Sequence, residues 1–185
     1  ALGWACWKLY VSSPPDSGLD RRFGMGVLGS GLSSARHHED ALSVREAELS
    51  MRQRDGASEE SILVAQSNLA NTYDLIGRGD EALRMRGEVY SGYVQLLGEE
   101  QEETLRAAYN YAVTLIEQEQ FEEAKLLLHR AMPVARRVLG EDYELTLRIS
   151  TDYATALYKH AGATATLDDL RETAATLEET GRIAR

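Results

Sequence analysis

Apolar residues recur every three or four positions through most of this chain, and polar residues fill the positions between them. This spacing places the apolar side chains on one face of an α-helix. The clearest stripe covers positions 61–76 and consists of Ile62, Ala65, Leu69, Ala70, Tyr73 and Ile76. Gly77 and Gly79 predict the end of that helix, and Asp80 can cap a second helix, in which the stripe resumes. The pattern therefore predicts a helical hairpin over residues 61–97.

The hairpin pattern returns with a period of 42 residues. The period is carried by tripeptides that begin with a polar residue and end with alanine: Asn68-Leu69-Ala70, Asn110-Tyr111-Ala112 and Asp152-Tyr153-Ala154. The same step separates the glycines that precede the acidic linkers: Gly56, Gly98 and Gly140. Because one hairpin cannot bury both of its faces, neighbouring hairpins must stack into an array. Small residues share one slot on the first helix of each hairpin, where we expect close helix contacts: Gly29, Ala70, Ala112 and Ala154.

This period divides the chain into a lead-in and a repeat array. Residues 1–20 contain SSPPDSG and are predicted to be an irregular lead-in or linker. Residues 21–185 form the array, with repeats at approximately 21–55, 61–97, 104–139 and 146–185. Since the fourth repeat stops within its second helix, we expect the chain to be a piece of a longer array.

The repeat resembles the tetratricopeptide repeat, and more narrowly the 42-residue version found in kinesin light chains. The family unit reads roughly NLA-x-x-Y, then G-x-x-x-EA, then a second helix that ends in LG before an acidic linker. This chain matches it with NLANTYDLIGRGDEAL and QLLGEE, and with YNYAVTL, QFEEAK and RVLGED. It lacks the His-Pro that usually follows in the family linker. The resemblance implies an all-α fold, a right-handed α-solenoid of about four helix-turn-helix repeats.

The charge balance narrows the classes of partner. Thirty acids against twenty bases give a net charge of −10 and a pI near 4.9. This argues against a partner nucleic acid, whose phosphates require clustered Lys and Arg, and against an anionic membrane surface. Cys6 is the only cysteine, which excludes an intrachain disulfide and a cysteine zinc site. We expect a soluble, cytoplasmic protein.

Candidate catalytic chemistry is sparse. His37, His38, Glu39 and Asp40 form a local cluster of metal-capable side chains, but no second His pair lies at ligand spacing. A solvated helix start is the favoured interpretation. The sequence has no G-x-S-x-G motif and no phosphate-binding loop. We therefore predict no enzymatic activity, no cofactor, no metal and no small-molecule substrate, and a protein or peptide as the partner.

Ionised side chains are scarce on the first helix of each repeat, where Asp74 is the only one between positions 61 and 76. The family resemblance implies that these first helices line a concave groove. Polar side chains on them are the predicted peptide-binding residues: Asn68, Asn71, Arg106, Tyr109, Asn110, Arg148, Thr151 and Thr155.

Two of these residues suggest the character of the peptide. In family members that bind acidic peptides, an Asn precedes the Leu-Ala of the first helix and a basic residue stands four positions earlier. Arg106 and Asn110 keep both, one helical turn apart, and both can donate to a carboxylate. The alternative is that Asn is simply common at this slot across the family.

Two functions follow from the sequence. The first is a non-enzymatic protein–protein interaction scaffold that binds an extended peptide, including an acidic one, in the concave groove. The second is a purely architectural repeat segment of a larger multidomain protein. Ion pairs from Arg106 and Arg148 to linker carboxylates such as Glu103 or Glu144 would remove the reason for expecting an acidic peptide and would favour the architectural role.

Overall fold

The computed structural model describes residues 18–164, Arg171 and residues 174–175 of the chain. Seven helices cover most of this part: α1 Gly18–Ser34, α2 His38–Arg54, α3 Glu59–Leu75, α4 Gly79–Leu97, α5 Glu102–Glu117, α6 Phe121–Val138 and α7 Glu144–Thr164. No strand occurs among the described residues. The predicted all-α fold class is confirmed.

Two predicted segments fall largely outside the described residues. They are the lead-in over residues 1–20, of which the last three begin α1, and the final helix at about 167–185. The division into four repeats stays a prediction made from the 42-residue period.

Glycines with positive φ end several of the helices. Gly56, Gly98 and Gly140 have φ values of 64°, 84° and 98°. A residue with a Cβ adopts this left-handed conformation only at a cost, whereas glycine does so freely. The N–H groups of Gly98 and Gly140 donate to the carbonyls of Val94 (3.0 Å) and Arg136 (3.2 Å), which closes the last turn of each helix. The 42-residue recurrence of glycine therefore has a conformational cause.

A side-chain cap is present at the start of α3, whereas His37, Gln101 and Gln120 precede α2, α5 and α6 without a capping hydrogen bond. Ser58 caps α3, because its side chain accepts a hydrogen bond from the N–H of Ser61 (3.3 Å). Asp80 was expected to cap α4, but α4 begins at Gly79, so Asp80 lies within its first turn. There its charge is favourable to the helix dipole without capping it.

The chain divides into two compact units, Ala1–Met85 and Arg86–Arg185, with the division inside α4. In the first unit, α2 packs against α1 and α3. Its main apolar cluster consists of Leu42, Leu69, Ala70, Tyr73, Ala82 and Met85, with Leu49 and Ile76 packed against it. Ala70 is fully buried, as the 42-residue register predicts.

A buried ion-pair network joins α1, α2 and α3 of the first unit. Glu48 on α2 is 1% exposed and accepts from Arg45 (3.0 Å) and Arg52 (2.6 Å). Arg45 also donates to the hydroxyl of Ser30 on α1 (2.8 Å), and Arg52 donates to that of Ser61 on α3. These contacts pair a buried carboxylate with two guanidinium groups, which is the condition under which buried charge is tolerated.

The glycine at position 29 makes room for this network. A Cβ at Gly29 would lie 2.7 Å from Nε of Arg45, closer than real Cβ contacts. The 42-residue period predicts a close helix contact at Gly29, and in the structure the group that approaches Gly29 is the Arg45 side chain of α2.

In the second unit, α5, α6 and α7 all pack against one another. Their core contains Leu115, Leu128, Ile149 and Leu157, all at most 2% exposed. Ala112 and Ala154 are also buried, at 0% and 1% exposure. Both alanines therefore occupy the close-packed slot that the period predicts, and this packing positions the exposed starts of α5 and α7.

Candidate functional site

The starts of α5 and α7 border a cavity of about 460 Å³ in the second unit. The two helices pack side by side, and equivalent positions on them are 42 residues apart. The lining residues come from α5, from α7 and from the linker before α7: Glu102, Arg106, Tyr109, Asn110, Tyr143, Glu144, Leu145 and Arg148. We call this cavity the α5–α7 groove.

Two ion pairs of the same kind lie in the α5–α7 groove. Arg106 donates to Glu102 one turn earlier on α5, and Arg148 pairs with Glu144 at 2.7 Å in the same arrangement on α7. The side chains are 62% and 33% exposed in the first pair, and 57% and 78% exposed in the second. Because exposed pairs contribute only about 0–1 kcal/mol, solvent or a ligand can replace either partner.

Tyr143 links the start of α7 to the start of α5. Its hydroxyl donates to Oε1 of Glu102 at 3.0 Å. This hydrogen bond and the nearby carboxylate charge raise the pKa of Tyr143, because a phenolate there would face a second anion. Glu102 therefore accepts from both Arg106 and Tyr143.

A second set of polar contacts lies deeper, around Tyr109. Tyr109 is half-buried and is hydrogen-bonded to both Asp152 and Arg148. The pKa of Tyr109 and the pKa of Asp152 are both raised, mainly by burial. At Asp152, the hydrogen bond from Tyr109 and the charge of Arg148 act in the opposite direction and lower the pKa. Asp152 occupies the slot that holds Asn68 and Asn110 in the preceding repeats, so this position carries an acid in the last of them.

The structure brings together four of the eight predicted site residues. Arg106, Tyr109, Asn110 and Arg148 line the α5–α7 groove.

The other four predicted residues do not line the groove. Thr151 and Thr155 lie further along α7, and their hydroxyls donate to carbonyls of their own helix at 2.9 Å and 3.0 Å. Asn68 and Asn71 belong to α3 of the first unit, where Asn68 is half-buried and Asn71 is exposed. The peptide-binding role of all eight residues stays a prediction.

Sequence reasoning missed four residues that line the groove: Glu102, Tyr143, Glu144 and Leu145. Among these four, only Glu144 is named from the sequence, as a candidate ion-pair partner and not as a site residue. A usable signal was present, because Glu102 and Glu144 each stand four residues before an arginine, which is the spacing of a helical ion pair. Tyr143 offered no such signal, since its partner is 41 residues away.

Other candidate chemistry is limited in the described part of the chain. His37 lies 3.8 Å from Asp40, and no group of three metal-capable side chains is found among the described residues. None of the helices searched combines the length and the apolarity that a bilayer crossing requires.

Comparison with known proteins decides the fold family. Residues 61–131 match the family model of the tetratricopeptide repeat. Two crystal structures of "kinesin light chain nearly identical TPR-like repeats" from Podosopora anserina share 18% identity each with the chain, with TM-scores of 0.79 and 0.76. The chain has the fold of a tetratricopeptide repeat array. The predicted resemblance to the kinesin-light-chain type is confirmed at the level of fold.

The extent of these matches is broad. The alignments with the two Podosopora anserina structures cover 96% and 95% of this chain. They cover 81% and 83% of the chains in those structures. The structure of BtubC (BKLC) from P. vanneervenii covers 98% of the chain and is itself covered to 86%, at 15% identity and a TM-score of 0.63. No curated protein matches the sequence at a significant level.

Tetratricopeptide repeats generally mediate protein–protein interaction, and they form a non-catalytic class of scaffold. Within this tetratricopeptide array, Arg106 and Arg148 are paired to carboxylates at the starts of α5 and α7. This is the arrangement that removes the sequence-based reason for expecting an acidic peptide. What stays is a polar groove that carries as many acids as bases.

Proposed function

We propose that this chain is a non-enzymatic interaction module whose α5–α7 groove binds an extended peptide segment of a partner protein. The observation that carries the proposal is the convergence of Arg106, Tyr109, Asn110 and Arg148 on one cavity of about 460 Å³. That volume lies within the range of known ligand pockets, roughly 300–1,000 Å³.

The groove offers groups that suit a peptide. Arginine and asparagine side chains can donate to peptide carbonyls, and Tyr109 and Tyr143 add aromatic surface with a polar tip. Since each arginine has five N–H donors, an ion pair with one glutamate leaves donors for a ligand. These features support peptide binding.

The proposed partner is therefore a protein, with no nucleic acid, membrane or small-molecule substrate. We also propose a cytoplasmic location, because a chain with a single cysteine has no need of an oxidising compartment.

The test is selection of displayed random peptides on the full 185-residue chain, followed by binding measurements on variants. The double variant Arg106→Ala/Arg148→Ala should lose most of the affinity for the selected peptides. Arg130→Ala/Arg137→Ala is the matched control, because these arginines are similarly exposed and are paired to Glu99 and Glu100 outside the groove. Equal loss in both double variants would contradict the proposed site.

A second function is favoured by one specific observation. The ion pairs at Arg106 and Arg148 are what an architectural segment of a larger protein would show, because its surface charges neutralise one another. Failure of the selection to enrich any peptide over background would favour this architectural role.

A further inference from the structure

The charges of the α5–α7 groove follow a repeated arrangement. Glu102 and Arg106 on α5 recur as Glu144 and Arg148 on α7, each glutamate one helical turn before its arginine. Among the described residues, no other ionised side chain lines the groove. We call each Glu–Arg pair a dyad. Each dyad is neutral and presents a negative group beside a positive one.

This arrangement penalises ligands of a single charge sign. A carboxylate that takes Arg106 from Glu102 brings two carboxylates together and leaves Glu102 with Tyr143 as its donor. A lysine that takes Glu144 removes the paired carboxylate of Arg148 and leaves it with the hydrogen bond to Tyr109 and the more distant charge of Asp152. A ligand that carries both signs can replace both partners of a dyad, so that every charge keeps an opposite neighbour.

The spacing of the dyad sets the spacing of the ligand charges. Four residues of an α-helix rise about 6 Å, which is the axial separation of the Cα atoms of the two members of a dyad. In the ion pairs themselves the charged atoms are in contact, at 2.7 Å for Arg148 and Glu144. Two residues of an extended peptide rise about 6.6 Å, and their side chains point to the same side. Opposite charges two residues apart in an extended peptide therefore match one dyad when the peptide replaces both partners and each side chain of the dyad extends from its own Cα.

We propose that the partner segment bound by the α5–α7 groove is a mixed-charge peptide in which acidic and basic residues alternate at every second position. This inference rests on the proposed function, because it specifies the ligand of the same groove. It replaces the acidic peptide that the family resemblance had implied.

The test uses four labelled peptides of equal length and fluorescence anisotropy on the full chain. Their repeating units are Glu-Ser-Lys-Ser, Glu-Ser-Glu-Ser, Lys-Ser-Lys-Ser and the uncharged Gln-Ser-Gln-Ser. The alternating peptide should bind most tightly, by up to about thirtyfold, since a net gain of two exposed ion pairs at about 0–1 kcal/mol each sets that scale. A fifth peptide with the same glutamates and lysines separated into two blocks should bind more weakly than the alternating one.

Variants then test the dyads themselves. Glu102→Gln/Glu144→Gln should shift the preference to the all-glutamate peptide, and Arg106→Gln/Arg148→Gln should shift it to the all-lysine peptide. Glu99→Gln/Glu100→Gln is the matched control, because these acids pair with arginines of α6 outside the groove, and it should leave the preference unchanged.

The outcomes distinguish failure of the mixed-charge inference from failure of the proposed peptide-binding function. Tightest binding of the all-glutamate peptide to the unaltered chain would overturn the mixed-charge inference and restore an acidic ligand. Equal binding of the charged and uncharged peptides would overturn it while keeping the groove as a peptide site. Absence of binding by all five, with binding of peptides selected from a random library, would reject mixed charge as the recognised feature.

Discussion

Neutralising Glu48 gives the sharpest test of how the first unit is held together. Its carboxylate is 1% exposed and accepts from Arg45 at 3.0 Å and from Arg52 at 2.6 Å and 3.2 Å. The substitution Glu48→Gln keeps the shape of the side chain and removes its charge. Arg45, whose side chain is only 6% exposed, would then hold a buried positive charge without an anion.

The expected loss follows from this burial. Removal of one partner from a buried ion pair costs about 3–5 kcal/mol. We expect the lower end, about 3 kcal/mol, because Arg52 is 15% exposed and can turn to water. A double variant, Arg45→Met/Glu48→Leu, should recover most of this loss, since apolar groups of similar volume often replace a buried ion pair at little cost.

The measurement is urea denaturation followed by far-UV circular dichroism, together with hydrogen exchange of the α2 amides. Glu46→Gln is the matched control, because Glu46 is an exposed acid on the same helix that accepts a long hydrogen bond of 3.4 Å from Tyr73. The control should lie within about 0.5 kcal/mol of the unaltered chain. The reasoning is refuted when Glu48→Gln falls within the same interval.

Two further predictions concern the second unit. Ala112→Leu should destabilise the chain by about 1–3 kcal/mol, because Ala112 is 0% exposed and the added volume forces α5 from its neighbours. A lower urea midpoint is the expected result, and an unchanged midpoint would contradict the packing. Burial raises the pKa of Asp152, so the folded state binds a proton more tightly than the unfolded state does. Ionisation of Asp152 therefore lowers the free energy of unfolding as the pH rises from the ordinary aspartate pKa of about 3.9 through the folded pKa. Asp152→Asn should therefore be more stable than the unaltered chain above this window and should lose that advantage below it; parallel pH profiles of the two would argue against the shift.

Some site features were accessible from sequence because they are local. A glutamate four residues before an arginine on a helix forms an ion pair by the geometry of a single turn, as at Glu102 and Arg106. The sequence names Glu103 and Glu144 as candidate partners of Arg106 and Arg148, but it does not decide whether these side chains meet. The structure pairs Arg148 with Glu144, and it pairs Arg106 with Glu102 rather than with Glu103.

Other site features depend on positions far apart in the chain. Tyr143 reaches Glu102 across 41 residues, and Tyr109 on α5 hydrogen-bonds Asp152 on α7. Gly29 is small because it faces the Arg45 side chain of the next helix. None of these partners is predicted by the 42-residue period, because the period identifies equivalent slots and not which slots meet.

The sequence by itself determined the all-α array of hairpins, its 42-residue step and the buried alanines. Helix formation, positive-φ glycines and an apolar stripe all depend on neighbours within a few residues, so their pattern is legible along the chain. Only the tertiary structure decided that four of the eight predicted residues share one groove and that this groove is neutral. That result depends on how neighbouring helices align when they pack, which is set by side-chain contacts between helices that the period leaves open.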